Sequence, residues 1–153
     1  MKKSLKVLMA VAIAGVALSQ TAKADTTLPT KQFQVMLKVL PSCKFDQTIQ
    51  NITFQDRQVG DQNVEATTTV RLNCSKGTTA TVKFTSTNGK KLKSDNGEID
   101  YALFDGQIDL FNANGVSYPG TGQQKDITVT AKVPNVGQNS GTFSDTVTVA
   151  VSF

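Results

Sequence analysis

Cys43 and Cys74 are the only two cysteines in a chain of 153 residues that contains no histidine. Catalytic arrangements that pair serine or cysteine with histidine are therefore impossible. The two cysteines also lack the C-x-x-C spacing of redox pairs, and metal sites would need further ligands nearby. We therefore predict a structural disulfide. By closing a loop of about 30 residues, it would stabilise the fold by roughly 3 to 4 kcal/mol in the chain-entropy model.

Carboxylates are the other side chains that could do chemistry. Two pairs are conceivable as acid and base, Asp95 with Glu98 and Asp105 with Asp109, because a glycosidase needs two acids at a set separation. Each lies beside glycine or asparagine in turn-like sequence, where solvated acids are ordinary. We therefore expect no enzyme, no cofactor and no metal. The enzyme hypothesis would require an activity that disappears when these four acids are replaced.

The beginning of the chain has the pattern of a bacterial signal peptide. A lysine-rich start precedes the apolar run 7–18, and a small-residue A-x-A site ends at Ala24, just before Asp25. The run is too short for a bilayer-spanning helix. We predict a signal peptide over residues 1–24, cleaved between Ala24 and Asp25. The mature chain would then be exported without membrane insertion into an oxidising compartment that favours the disulfide.

The basic charge of the precursor belongs to this leader. The whole chain has a formal net charge of +4, and the leader contains four lysines and no acid: Lys2, Lys3, Lys6 and Lys23. The mature chain is therefore neutral, and nucleic acid is not an expected partner.

Apolar and polar residues alternate along most of the mature chain, and no window after the leader has helical periodicity. The alternation predicts strands in eight places: 33–39, 52–54, 64–74, 80–84, two runs within 99–110, 127–133 and 143–153. Many short strands separated by frequent turn signals predict a single all-β domain, an immunoglobulin-like sandwich of two sheets.

Two turns are predicted in detail. Asp105-Gly106 is typical of a type I′ hairpin between the two runs that flank it. The lysine cluster 90–93 is predicted to form a solvated loop, in which Asp95 and Glu98 neutralise the lysines.

From Cys43 onward the chain resembles the spore coat U family, whose members include subunits of archaic chaperone-usher pili. The matching segments are Ser42-Cys43, Phe54, VRLNC at 70–74, IDYALFD at 99–105 and GTFSDTVTV at 141–149. The last of these, with the form G-x-[FY]-x-D-x-[VL] near a C-terminal aromatic residue, is the most specific. The chain is shorter than the family between Cys43 and Val70 and after Phe111.

Subunits of that family resemble incomplete immunoglobulin-like domains that lack one strand, so a groove stays open along the core. A periplasmic chaperone lends a strand to this groove. At the outer-membrane usher, the N-terminal extension of the next subunit replaces the chaperone's strand. The resemblance implies an incomplete sandwich over 43–153, preceded by an N-terminal extension over 25–42. It also implies three partners: the chaperone, the usher and neighbouring subunits.

Carried onto this sequence, the donor segment is 31–40. The side chains that would enter the neighbour's groove are Phe33, Val35, Leu37 and Val39. The last strand would border the acceptor groove, with a wall formed by Val147, Val149 and Val151. Asp145 matches the acid of the family's terminal segment and is expected to bind backbone at the entry of that strand.

An alternative is that residues 33–39 form an ordinary first strand of the chain's own sandwich. The segment lies close in sequence to Cys43, which the disulfide would hold, so local pairing is possible. Alternation with a period of two does not separate a donor strand from a resident strand.

The leading hypothesis is therefore a structural subunit of a pilus at the cell surface, serving adhesion or biofilm formation. One alternative is a self-contained secreted binding module, which would be a stable monomer. Another is a monomeric coat protein of a spore or cell surface. A pilus subunit would instead depend on a chaperone, because its exposed groove and unpaired strand edges favour aggregation.

Overall fold

The structure is a computed structural model that describes residues 29–153. The predicted signal peptide, 1–24, and its cleavage site between Ala24 and Asp25 lie outside the described residues. The described part contains no helix and ten strands: β1 Cys43–Phe45, β2 Gln62–Cys74, β3 Thr79–Ser86, β4 Lys91–Ser94, β5 Gly97–Asp100, β6 Ala102–Asp105, β7 Ile108–Asp109, β8 Val116–Pro119, β9 Gln124–Asn135 and β10 Val147–Ser152. No segment of this part is therefore a helix that could span a membrane.

The strands form two sheets and a separate hairpin. The larger sheet has the order β1-β2-β9-β6-β7, the smaller has the order β10-β3-β8, and β4 pairs with β5. All pairings are antiparallel. The predicted all-β class and immunoglobulin-like sandwich are confirmed.

The longest ladder, between β2 and β9, follows directly from the sequence pattern. Val70 lies opposite Ile127, and Val64 lies opposite Val133. Such β-branched residues suit a pleated, half-buried surface. The inward side chains of both strands are buried, whereas the alternate positions carry polar groups such as Glu65, whose carboxylate lies 2.7 Å from Lys132 Nζ.

The core lies between the two sheets. Leu72 of β2 and Ile127 of β9 face the core from the larger sheet, while Val82 and Phe84 of β3 face it from the smaller one. Each fully buried side chain of this kind contributes roughly 1.5 to 3 kcal/mol. No charged or polar residue is buried within the described residues. The sandwich is therefore held by apolar packing and by its ladders.

The prediction of a strand at 52–54 is wrong, because the structure has no strand there. Ile52 and Phe54 are half-buried and pack against the core, as their alternation suggests, but the backbone there joins no ladder. This segment follows β1, the short strand at the edge of the larger sheet, and no other strand among the described residues lies beside it to form a ladder. Alternation reports which side chains face the core and does not report whether a partner strand is present.

Both turn predictions need correction. In the hairpin, Asp105 pairs with Ile108, so the loop is Gly106-Gln107, and only Gly106 has a positive φ, of 59°. That pattern belongs to a type II′ turn and not to type I′. Lys91 and Lys93 of the lysine cluster lie in β4 and not in a loop, since Lys91 pairs with Asp100 of β5. Lys90 lies in the turn before β4, and Glu98 forms an ion pair with Lys91, as predicted.

The C-terminal strand is shorter than predicted, and three strands, β1, β4 and β8, were not predicted. β10 begins at Val147, since Ser144 makes only an isolated bridge with Lys93. β8, a four-residue strand that ends at Pro119, pairs with the first half of β3.

Candidate binding groove

The edge of β10 that faces away from β3 is free. β3 is the only strand that pairs with β10 among the described residues, and their ladder runs from Val147 opposite Ser86 to Ser152 opposite Thr81. The unpaired edge therefore presents N–H and C=O groups that a further strand could bind.

The segment 46–61 runs along the other side of this space. Its ends are anchored, because the Asp46 N–H donates to the Arg71 carbonyl at 2.9 Å and the Gly60 N–H donates to the Gly137 carbonyl at 2.8 Å. Between these anchors, residues 47–57 make no backbone-to-backbone hydrogen bond with any described residue. The Thr68 hydroxyl donates to the Gln50 carbonyl at 3.0 Å. The segment is thus extended, anchored at its ends and unpaired along its middle.

Between β10 and this segment lies a groove with a volume of about 1020 Å³. Its floor is formed by the inner faces of both sheets, including Val70 of β2, Val129 of β9 and Phe84 of β3. Ile52 and Phe54 line it from the segment 46–61. The floor residues are at most 4% exposed, so the accessible apolar surface of the groove comes from half-buried side chains such as Ile52, Phe54 and Val147, between two unpaired backbones.

Two of the three predicted wall residues line this groove. Val147 and Val149 do so, and Val151 shares their face of β10 and packs against the core without lining the groove. β1 approaches β10, and the C-terminal end of β10 lies opposite the start of β3, five residues after Cys74 of the disulfide. We infer that the groove is bounded at the end that carries the disulfide and extends toward the loop 139–146.

Asp145, two residues before β10, accepts four hydrogen bonds. Its Oδ2 receives the Ser86 hydroxyl at 2.5 Å and the Tyr101 hydroxyl at 2.6 Å. Its Oδ1 receives the backbone N–H of Asn88 at 3.0 Å and of Thr146 at 2.7 Å. The predicted role of Asp145, binding backbone at the entry of the last strand, is confirmed. The two hydroxyl donors were not foreseen.

These contacts determine the protonation states of Asp145 and Tyr101. Burial alone would raise the pKa of Asp145, but the hydrogen bonds from Ser86, Tyr101 and the two backbone groups outweigh it and lower the pKa below its usual value. Burial, followed by the bond to Asp145, raises the pKa of Tyr101. At neutral pH the acid is therefore a carboxylate and the phenol a hydrogen-bond donor.

The predicted disulfide between Cys43 and Cys74 is present, and it joins β1 to the end of β2, where the two residues lie opposite each other. It fixes the chain at the start of β1.

The predicted donor segment has no regular secondary structure. Residues 29–42 form no strand, and the four donor side chains are between 77% and 88% exposed. Exposure of this extent is unusual for so many large apolar residues in one short segment. The described residues therefore contain no ladder in which 33–39 acts as a resident strand.

Three of the four acids considered for catalysis have partners within the fold. Asp105 accepts the Tyr118 hydroxyl at 3.0 Å, Asp109 accepts the Phe111 N–H at 2.8 Å, and Glu98 forms an ion pair with Lys91. Asp95 lies in the turn between β4 and β5. No group of three or more cysteine or acidic side chains gathers in a position to hold a metal within 29–153.

Comparison with known protein families shows that the Spore Coat Protein U domain matches residues 29–150. Comparison with curated proteins gives no significant match. Among solved structures, this chain is similar to a chain in the crystal structure of the CsuC-CsuE chaperone-tip adhesion subunit pre-assembly complex from archaic chaperone-usher Csu pili of Acinetobacter baumannii. The TM-score is 0.54 and the sequence identity 26%. The match covers 75% of this chain and 40% of that chain, so it spans less than half of the longer protein.

Proposed function

The chain belongs to the Spore Coat Protein U domain family, and on this basis we propose that it is a structural subunit of an extracellular pilus, assembled by the chaperone-usher pathway through donor-strand exchange. The observation that carries the proposal is the free edge of β10 beside an apolar groove. An extended strand from another protein would extend the ladder at β10 and cover the half-buried apolar side chains that line the groove. The function is therefore one of assembly, and it needs no catalytic residue.

The exposed N-terminal segment has the properties of such a strand. Phe33, Val35, Leu37 and Val39 alternate with other residues, so all four would face the neighbour's groove. Burying them would contribute roughly 6 to 12 kcal/mol before the cost of ordering the segment, at about 1.5 to 3 kcal/mol each. A joint of this kind would dissociate very slowly.

The shape of the groove suggests a direction for the donor strand. In the donating subunit, the folded body follows the segment almost at once, since Cys43 is held in β1 by the disulfide. The folded body of the donating subunit therefore needs to lie beyond the open end of the groove, at the loop 139–146, and not at the end that β1 closes. Val39 would then lie near the loop 139–146 and Phe33 near the disulfide end, so the donor strand would run antiparallel to β10.

The proposed partners follow from this cycle. A periplasmic chaperone would fill the groove before assembly, an outer-membrane usher would organise the exchange, and neighbouring subunits would occupy the groove in the fibre. The similarity to a chain of a chaperone-subunit complex supports the first of these partners. Export to the cell surface, and a role in adhesion or biofilm formation, are parts of the same proposal.

The test compares two charged substitutions on opposite faces of the donor segment. In cells that also express the chaperone and usher, Leu37→Asp should abolish the heat-sensitive, SDS-resistant ladder of polymers, because a buried carboxylate is strongly disfavoured. Met36→Asp is the matched control and should leave the ladder intact, because Met36 would face outward. An unchanged ladder with Leu37→Asp, or equal loss with both, would contradict donor-strand exchange through this segment.

A further inference from the structure

The wall of the groove formed by β10 needs support, because this strand has a neighbour on one side only within the described part of the chain. An edge strand frays at its ends unless other groups hold them. At the C-terminal end of β10, the approach of β1 supplies that support. At the other end, the support comes from Asp145.

The Asp145 carboxylate joins four separate points of the chain. Ser86 is the last residue of β3, Asn88 belongs to the turn that follows, and Tyr101 lies between β5 and β6. The fourth donor is the N–H of Thr146, immediately before β10. The start of β10 is therefore tied both to its partner strand and to an aromatic residue that lines the groove.

We call Asp145 and its four hydrogen-bond donors the hub. The hydrogen bonds of this hub require a carboxylate. An ionised carboxyl group has two oxygens that can each accept two hydrogen bonds, whereas an amide of the same shape has one acceptor oxygen and one donor nitrogen. Replacing Asp145 with asparagine would leave two of the four donors without an acceptor and remove the charge that strengthens all four bonds.

We propose that Asp145 is a positioning residue for strand acceptance: its carboxylate holds the free edge of β10 and the Tyr101 ring where an incoming strand needs them. This role rests on the proposed function, because it prepares the groove for the donor strand. Asp145 itself lines the groove, and all four of its hydrogen-bond donors belong to the chain. It acts through β10 and Tyr101, and its influence is strongest at the end of the groove where Val39 of the donor would lie.

The experiment uses the full mature chain with Leu37→Asp, which cannot donate its own segment, and a fluorescent peptide of residues 31–40 as the probe. Peptide binding is measured by anisotropy in the oxidised protein. Asp145→Asn should weaken binding at least tenfold. The matched control is Asp105→Asn, which removes the charge from the acceptor of another tyrosine hydroxyl, that of Tyr118 at 3.0 Å, outside the residues that line the groove. It should change binding less than twofold.

A second measurement separates positioning from a general loss of structure. Peptides with Val39→Ala or Phe33→Ala are tested against both proteins in double-mutant cycles. The Asp145→Asn effect should shrink for the Val39→Ala peptide and persist for the Phe33→Ala peptide. An equal loss of binding for every peptide would show only a structural role and would overturn the proposal.

A milder variant covers the case in which Asp145→Asn does not fold. Tyr101→Phe removes one donor and keeps the carboxylate, so it should weaken peptide binding severalfold, while Tyr118→Phe should have little effect. If the parent chain binds the peptide tightly and neither hub variant weakens binding, the positioning role is wrong and the proposed function stands. If the parent chain binds no peptide, both are wrong.

Discussion

At the residue scale, the most strongly connected polar group of the groove is Asp145, and its contacts hold strands in position. A carboxylate that accepts four hydrogen bonds has no free lone pair directed at a substrate, and its partner Tyr101 remains protonated because burial raises the pKa of the phenol. Of the four acids that could have suggested catalysis, Asp105, Asp109 and Glu98 are each bonded to a partner within the fold. Polar chemistry here fixes the position of strands.

The pKa of Asp145 predicts an acid dependence of stability. Its folded value lies below the ordinary 3.8, so the unfolded chain binds the proton more readily. The stability that the carboxylate contributes is thus complete above the ordinary pKa and is lost as the pH falls through the folded value. Asp145→Asn should cost about 2 to 4 kcal/mol at neutral pH, the scale of lost charge-assisted hydrogen bonds.

Urea denaturation of the oxidised protein between pH 2 and pH 7 checks this prediction. The difference between the parent chain and Asp145→Asn should be largest above pH about 5 and should shrink toward acid pH. Ser86→Ala keeps the carboxylate and should retain part of the acid dependence. A difference that stays constant across the whole range would show that the ionised carboxylate contributes nothing.

At the element scale, two extended backbones border the same groove in different ways. β10 is paired on one side, whereas residues 47–57 make no backbone ladder among the described residues and are held by the ends of their segment and by side-chain packing. The second wall should therefore be the weaker one. A donor strand in the groove would give both backbones a neighbour.

Two phenylalanines offer a matched test of this difference. Phe84, in the middle of β3, is 4% exposed, while Phe54 is half-buried in the unpaired segment. Phe84→Ala should cost about 3 to 5 kcal/mol, as expected for a well-packed core position. Phe54→Ala should cost only about 1 to 2 kcal/mol, because less surface is buried and the segment can relax. Equal costs in urea denaturation would show that the segment is as firmly packed as β3.

The sequence predicts which side chains face the core better than it predicts which strands pair with each other. The alternation along β2 and β9 predicts their buried faces correctly, and the same rule places Ile52 and Phe54 against the core. It cannot reveal that the backbone at 52–54 lacks a neighbour, because that depends on where β1 ends. β4 was missed because its lysines mimic a solvated loop, although their acidic partners on β5 form cross-strand pairs.

The same distinction applies to the groove. The wall residues Val147 and Val149 follow from alternation near the C-terminus, whereas the hub does not, because Ser86 and Tyr101 are separated from Asp145 by 59 and 44 positions. No local pattern brings such distant hydroxyl groups to one carboxylate. Val151 is excluded from the groove by the approach of β1, which is likewise a tertiary effect.

At the scale of the whole molecule, the fold is a sandwich cross-linked by the Cys43–Cys74 disulfide, with a groove beside its last strand that is lined by half-buried apolar side chains. The apolar side chains that could close such a groove are present in the same chain, exposed in the segment before the disulfide. Under the proposed function, the N-terminal segment of each copy would complete the sheet of the next. This complementarity is the basis of the proposed role in a fibre.

The most direct test of this account is hydrogen exchange at the amides of β10. In the Leu37→Asp chain, the alternate amides of Val147–Ser152 that point away from β3 should exchange quickly. Addition of the peptide 31–40 should slow them by at least tenfold, since each would then donate to the added strand. The same peptide carrying Leu37→Asp should give no protection. Strand addition at β10 would be contradicted if the parent peptide bound and left the exchange of these amides unchanged. It would also be contradicted if the peptide did not bind at all.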